Sequence, residues 1–322
     1  MDHVELSIRG NTSIPKLIAA ATAVREGTGY EKLLIPKRGG GSRLVLKAIP
    51  TVDKQQTAIK SVLNDLYRPP SHVHGYVPHR DNFTNAEPHL AQPVVLRVDL
   101  KSFFPSINRD LIGRILTQHG LSESAREIVL TLACVDGRLA TGFATSPVLS
   151  NMAFADTDKA LVAMADEAGL AFTRYADDMT FSGSALADNS FASIAEILHS
   201  FGWTINEKKT RFMRVGGPQF VTGLYVGLPD RPRVPRRMKR ALRQQLHYLS
   251  KYGYLDCHRQ VPWTMGHRKA SGWLNYVSRV EPELARQLEP VMANIDFHLR
   301  MRIGFDDEWD VWLQELGVPE DL

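Results

Sequence analysis

The sequence predicts an α+β fold: an antiparallel sheet backed by helices on one face, followed by a smaller helical lobe. Three observations carry this. Residues 93–100, PVVLRVDL, form a β-rich run that ends on an acid. Residues 170–183 read as two further strands joined by a turn at Ala176-Asp177-Asp178. Helical spacings lie between and around these runs, and beyond residue 229 the pattern is helical. The 322 residues are 43% hydrophobic and 23% charged, which fits an ordinary soluble globular protein able to bury a sizeable core.

Each element has a local reason. Ser13-Ile14-Pro15 supplies a cap serine and an early proline, opening a helix with Leu17, Ile18, Ala21 and Val24 on one face. Strands at 32–36 and 43–49 flank Lys37-Arg38-Gly39-Gly40-Gly41, a hairpin with a basic, glycine-rich tip. Over 51–67, Ile59, Val62, Leu63 and Leu66 recur at helical spacing. Helices near 108–118 and 124–134 follow the strand at 93–100, the second opening with a capping box from Ser124 to Glu127. Ser146-Pro147 starts a helix running to about residue 167; another, at 189–201, stops at Gly202, and short strands continue to Val226. The expected divisions are an N-terminal helical segment at 1–30, a central part at 31–228 and a helical lobe at 229–322. That last lobe opens with seven basic residues and no acids in 231–243, and Leu242, Leu246 and Leu249 begin its apolar stripe.

A net charge of +4 favours a polyanionic partner. Two cysteines, Cys134 and Cys257, cannot build a disulfide framework or a four-cysteine zinc site, and they fit a reducing cytosol. His72, His74, His79 and His89 lack the nearby cysteines or HExxH spacing of a zinc site. The N-terminus lacks a signal-peptide profile, and no uncharged apolar run reaches the roughly 18–20 residues that cross a bilayer. The chain is therefore expected to be cytoplasmic, with no membrane partner.

The acids carry the chemistry. Asp99 ends one strand, and Asp177-Asp178 sit in a tight turn 78 residues later. Two such strands side by side would bring Asp99 and Asp177 together. Converging carboxylates repel unless a cation lies between them. Mg²⁺ is the natural candidate, because it takes oxygen ligands and keeps sites for water and substrate phosphates. Two such ions would clamp an attacking hydroxyl and a leaving pyrophosphate. The plainer alternative is that Asp177-Asp178 only supplies turn chemistry.

On these residues the sequence resembles reverse transcriptases, and within them the retron type. Tyr175-Ala176-Asp177-Asp178 matches the YADD catalytic turn, and Val98-Asp99-Leu100-Lys101-Ser102-Phe103-Phe104-Pro105-Ser106 matches the first catalytic strand. Asn206-Glu207-Lys208-Lys209-Thr210 is similar to the lysine motif after the palm helix. Asn85-Ala86-Glu87-Pro88-His89 has the NAxxH form of retron enzymes, and Val221-Thr222-Gly223 has their VTG form. The resemblance spans about residues 30–280. It departs from the family at Thr141-Gly142, where Gln-Gly usually precedes the Ser-Pro helix. Thr141 cannot place an amide in the same spot, so no role is carried over to it.

The resemblance implies a right-hand polymerase with fingers, palm and a small helical thumb. Asp99, Asp177 and Asp178 would be catalytic and, with Leu100, would hold two Mg²⁺ ions, for which Mn²⁺ is a substitute. Phe104 would wall the sugar pocket and select dNTPs. Arg43 and Lys37 on the hairpin would grip the triphosphate, or form no more than a solvated tip. Gly142 would allow close approach of the incoming nucleotide or template, and Lys208 would meet departing pyrophosphate. Asn85, His89, Ser146 and Pro147 would contact nucleic acid, His89 through the cognate RNA. Arg231, Arg233, Arg236, Arg237, Lys239, Arg240 and Arg243 would track a phosphate backbone. Trp263, Trp273 and Tyr276 are either stacking surfaces or thumb core. The implied function is copying of a structured noncoding RNA into DNA, primed from an RNA 2′-OH to give a branched product, in antiphage defence with a separate effector protein. Other bacterial reverse transcriptases (group II intron-like or diversity-generating), or a non-synthesising RNA-binding scaffold, are the alternatives.

Overall fold

In the computed structural model the described residues are 1–37, 40–186, 188–261, 264–295 and 297. Arg38 and Gly39 of the hairpin tip, Trp263 and the end of the expected thumb lie outside them. The chain divides into two compact units: Met1–Asp81 with Pro93–Phe212, and Asn82–Gln92 with the residues from Met213 onward.

The first unit is built on a four-stranded sheet. Its strand order is Ala171–Tyr175, Asp178–Ser182, Val94–Asp99, Arg211–Arg214, the unit boundary falling within the last strand. Both faces of the sheet are covered at its centre: every residue of Asp178–Ser182 is buried, the polar Thr180 and Ser182 included. The register pairs Asp99 with Asp178 and Val98 with Met179. The helix Ser146–Glu167, started by Pro147, packs against the strand Ala171–Tyr175 and buries Val148, Leu149, Met152, Phe154, Leu161 and Ala165. Phe103, Phe154 and Trp203 meet at centroid distances of 4.8–5.9 Å and join the same core. The fold is the expected α+β architecture.

The predicted hairpin forms from Tyr30–Pro36 and Ser42–Ala48. Two local expectations need correction. Ile18 is exposed; Ala20 takes its place in the apolar face of the helix Ile14–Arg25. The helix Glu123–Ala133 is capped by Ser122, whose hydroxyl accepts from the Ala125 N–H, and not by Ser124, whose Oγ lies 2.9 Å from His3 Nδ1. Replacing Ser122 with alanine removes that cap and is expected to cost about 1 kcal/mol in urea unfolding, with Ser124→Ala near neutral. A short helix, His3–Arg9, precedes the elements that the sequence pattern predicts. Asp2 caps it by accepting from the Val4 and Glu5 N–H groups.

The second unit joins the helix Asn82–Ala86 and the turn Glu87–His89 to a small ladder, Phe220–Val221 with Leu224–Tyr225, and to three helices. Asn82 Nδ2 donates to the Thr222 carbonyl at 3.2 Å and to the Tyr276 hydroxyl at 2.8 Å. The helix Arg236–Gln260 is broken at Gly253, whose φ of 73° no helix accommodates. His267–Val280 and Pro282–Ala293 complete the unit. Among the described residues, no helix is long and apolar enough to cross a membrane.

Candidate active site

The turn at the sheet's end is tighter than its sequence suggests. Asp178 is not part of it: it is the first residue of a strand and pairs with both Tyr175 and Asp99. Only Ala176 and Asp177 make the reversal, with Ala176 at φ 59°. A left-handed alanine is strained, so something must hold it. Arg174, fully buried, does so. Its Nη1 donates to the Ala176 carbonyl and to Asn151 Oδ1, both at 3.0 Å. Nε and Nη2 form a fork on Asp158 at 2.8 and 2.6 Å, and the guanidinium lies over the Phe154 ring. From the other side, residues 72–75 run along the turn. The His74 N–H donates to the Arg174 carbonyl at 2.8 Å, and Gly75 touches the Ala176 backbone.

Asp99 and Asp177 face one another electrically. Burial first, and the Asp99 charge second, raise the Asp177 carboxyl from its ordinary value, while Lys209 and Arg43 pull it down. Asp99 accepts from Asn206 Nδ2 at 2.9 Å, and Lys209 Nζ stands 3.5 Å from its other oxygen. The Asn206 backbone N–H donates to the Asp99 carbonyl at 2.8 Å, so the lysine motif is laced to the strand that carries the acid. Leu100 is buried and donates its backbone N–H to the Asp177 carbonyl at 3.3 Å.

Asp178 faces Arg97, whose Nε sits 2.9 Å from both carboxylate oxygens. Burial pushes the Asp178 carboxyl up to about 7, outweighing the downward pull of Arg97. The motif pattern does not single out Arg97, although a residue two before Asp99 on a strand shares its face. Among the described residues no three His, Cys, Asp or Glu side chains converge on one point. The protein therefore offers Asp99 and Asp177, whose repulsion a divalent ion would relieve. Two carboxylates with substrate phosphates suit Mg²⁺.

Of the other expected residues, Arg43 acts on Asp177 from the hairpin and the rest stand farther out. Phe104 is half-buried, its ring 6.1 Å from Tyr76 and 5.6 Å from Phe103. The close approach at Gly142 is to the hairpin: its φ is 107°, and a Cβ would lie 2.6 Å from Val45 and 2.7 Å from the Leu46 carbonyl. Thr141, the departure from the family pattern, accepts the Leu46 N–H there at 2.8 Å. Ser146 is buried and donates to the Ala140 carbonyl at 2.5 Å, while Pro147 is half-buried. Lys37 and Arg43 are exposed on the hairpin; Lys208 is exposed too, and its neighbour Lys209 is the one that reaches Asp99.

In the second unit Asn85 and His89 are fully buried. Asn85 Nδ2 donates to Thr222 Oγ1 at 3.3 Å, so NAxxH and VTG pack together. Thr222 has φ 43°, unusual for a β-branched residue. The basic stretch is not uniformly unbalanced. Glu281, buried, accepts from Lys239 at 2.9 and 3.0 Å and pairs with Arg233 at 3.5 Å, and Asp230 also meets Arg233. Those two cations neutralise a buried acid that lies too far along the chain for local charge counting to include. Arg236, Arg237, Arg240 and Arg243 are exposed and Arg231 is half-exposed. Trp273 and Tyr276 pack edge to face at 5.6 Å.

Comparison with known proteins identifies the family. The family described as reverse transcriptase (RNA-dependent DNA polymerase) matches residues 35–254. The Retron Mx65 reverse transcriptase of Myxococcus xanthus is 32% identical over 80% of this chain and 63% of its own. The Retron Mx162 reverse transcriptase of the same organism is 32% identical over 70% of this chain and 53% of its own. The Retron Ec86 reverse transcriptase of Escherichia coli is 25% identical, over 75% and 72% respectively. This chain thus spans from about half to under two thirds of the length of the two Myxococcus relatives. With the family match covering well over half of the sequence and both aspartate motifs, the chain belongs to the reverse transcriptase (RNA-dependent DNA polymerase) family.

Proposed function

We propose that this chain is a retron-type RNA-directed DNA polymerase. It copies part of a structured noncoding RNA into DNA from dNTPs, primes from an RNA 2′-OH and leaves a branched RNA–DNA product. It works in the cytosol in antiphage defence with a separate effector protein. The observation that carries the polymerase reading is the sheet register, which sets Asp99 beside the Ala176-Asp177 turn. The NAxxH and VTG motifs and the retron relatives support the narrower retron reading.

In this mechanism Asp99 and Asp177 would hold the divalent ions. When bound, those ions supply activation of the primer hydroxyl and charge stabilisation of departing pyrophosphate. Asn206 and Lys209 fix the Asp99 carboxylate, and Arg97 balances the buried Asp178 charge. Arg43 and Lys37 take the triphosphate, Lys208 meets the pyrophosphate and Phe104 borders the sugar. Gly142 keeps the hairpin seated beside them.

The test is DNA synthesis on the cognate RNA with Mg²⁺ by native protein, Asp99→Asn, Asp177→Asn and the double variant Asp177→Asn/Asp178→Asn. Each substitution keeps shape and removes charge, so synthesis should fall on the order of 10³-fold or more. The melting temperature should hold for Asp177→Asn and drop for the double variant, whose Asp178→Asn change leaves Arg97 without its carboxylate. Equal synthesis by native and variant proteins would sink the mechanism. The copurifying nucleic acid, sequenced and tested for a 2′–5′ branch, separates the retron reading from other bacterial reverse transcriptases.

A further inference from the structure

The helix Arg236–Gln260 carries a face that the catalytic reading does not use. Up to its break at Gly253, the helix buries Met238, Ala241, Leu242, Leu246 and Leu249. The opposite side exposes Arg236, Arg237, Arg240, Arg243, Gln244, His247, Tyr248, Lys251 and Tyr252. These positions follow helical spacing, so they form one stripe, and residues 236–254 contain no acid. The cations gather toward the N-terminal end. The aromatic rings gather toward the break.

The rings at that end are arranged and exposed. Tyr248 and Tyr252, one turn apart, lie nearly parallel with centroids 6.1 Å apart and planes 22° apart. Both remain about half exposed, at 47% and 49%. The Lys251 ammonium sits 5.0 Å from the Tyr252 centroid, and His247 lies 5.8 Å from Tyr248. A tyrosine kept for core packing would be covered, as Tyr67 is at 8%. Two stacked, uncovered rings beside a run of cations match what unpaired nucleotides require: flat apolar faces for the bases and positive charge for the phosphates. An acidic protein partner would use the cations and leave the stacked rings without a purpose. A duplex would use the cations alone, because its bases are already stacked on one another.

We infer that Tyr248 and Tyr252 form a stacking platform for unpaired RNA bases, with Arg240 and Arg243 holding the adjoining phosphates. The inference rests on the nucleic-acid role proposed above and sharpens it: this face prefers single-stranded RNA to duplex. Aromatic stacking and phosphate neutralisation then separate by their response to salt, since only the second releases counterions.

The experiment is fluorescence anisotropy of the full chain with two labelled probes: an unstructured single-stranded RNA and a blunt RNA duplex of equal length. Tyr248→Ala and Tyr252→Ala should each weaken single-strand binding on the order of 10-fold, the range of one lost base stack, with little change on the duplex and the same salt slope. Tyr248→Phe and Tyr252→Phe should restore affinity, since the ring face and not the hydroxyl is used. Arg240→Gln and Arg243→Gln should weaken both probes and flatten the salt dependence. Circular dichroism checks that these surface changes leave the fold intact. Native-like single-strand affinity in the Tyr248→Ala/Tyr252→Ala variant would overturn the platform, as would equal losses on both probes. Because binding is read without synthesis, an inactive polymerase that still shows the tyrosine effect leaves this inference standing. An active one without the effect refutes it alone.

Discussion

Asp158→Ala is expected to be the most destabilising single substitution near the site, at about 3–5 kcal/mol. The Arg174 and Asp158 side chains are 0% and 1% exposed, so removing the carboxylate strands a guanidinium with no water to take its place. Losing a buried ion-pair partner costs far more than losing a surface one, because the remaining charge stays desolvated. For a chain of this size that should lower the melting temperature by roughly 4–7 °C. The double substitution Arg174→Met/Asp158→Leu separates stability from geometry. It removes both charges and fills similar volume, so much of the stability should return. Synthesis should not return, since the Arg174 bonds to the Ala176 carbonyl and Asn151 are gone. A melting temperature within about one degree of native for Asp158→Ala would refute this account of the turn.

Gly75→Ala is expected to produce the largest loss of activity from a residue outside the carboxylate cluster. A Cβ there would lie 2.2 Å from the Ala176 nitrogen and 2.9 Å from the Tyr175 carbonyl carbon. Both are backbone atoms, so no side chain can swing aside, and the turn carrying Asp177 must shift by about an ångström. A displacement of that size costs on the order of 10²-fold in rate when a group must be aligned for chemistry. Single-turnover dNTP incorporation should fall by that amount. Gly272→Ala is the control. Nothing lies within 4 Å of its added methyl, and it sits inside the helix His267–Val280, where alanine is the better residue. A Gly75→Ala rate within about two-fold of native would mean that the segment 72–75 does not position the turn.

Much of this protein is legible one segment at a time. The strands at 94–99 and 171–182, the hairpin and the long Ser146 helix follow from residue pattern, proline placement and turn chemistry, because those signals act over a few neighbours. The motif order likewise points to Asp99 and Asp177 without any knowledge of contacts. The sequence by itself thus determined the principal strands and long helices, Asp99 at the end of one strand and Asp177 at the turn between two others, and the family to which they belong.

What it did not determine depends on residues far apart in the chain. Asp178 is set against Arg97 by a register 81 residues long. Arg174 beneath the turn is answered by Asp158 on a different element, and Glu281 takes up Arg233 and Lys239 from a stretch that looks uncompensated. Gly75 and Gly142 are glycines because a distant segment of chain lies within 3 Å of where a Cβ would stand, which no local pattern records. The physical reason is common to all four. Secondary structure answers to short-range periodicity, whereas the balance of a buried charge and the clearance of a backbone depend on which distant segment packing brings alongside.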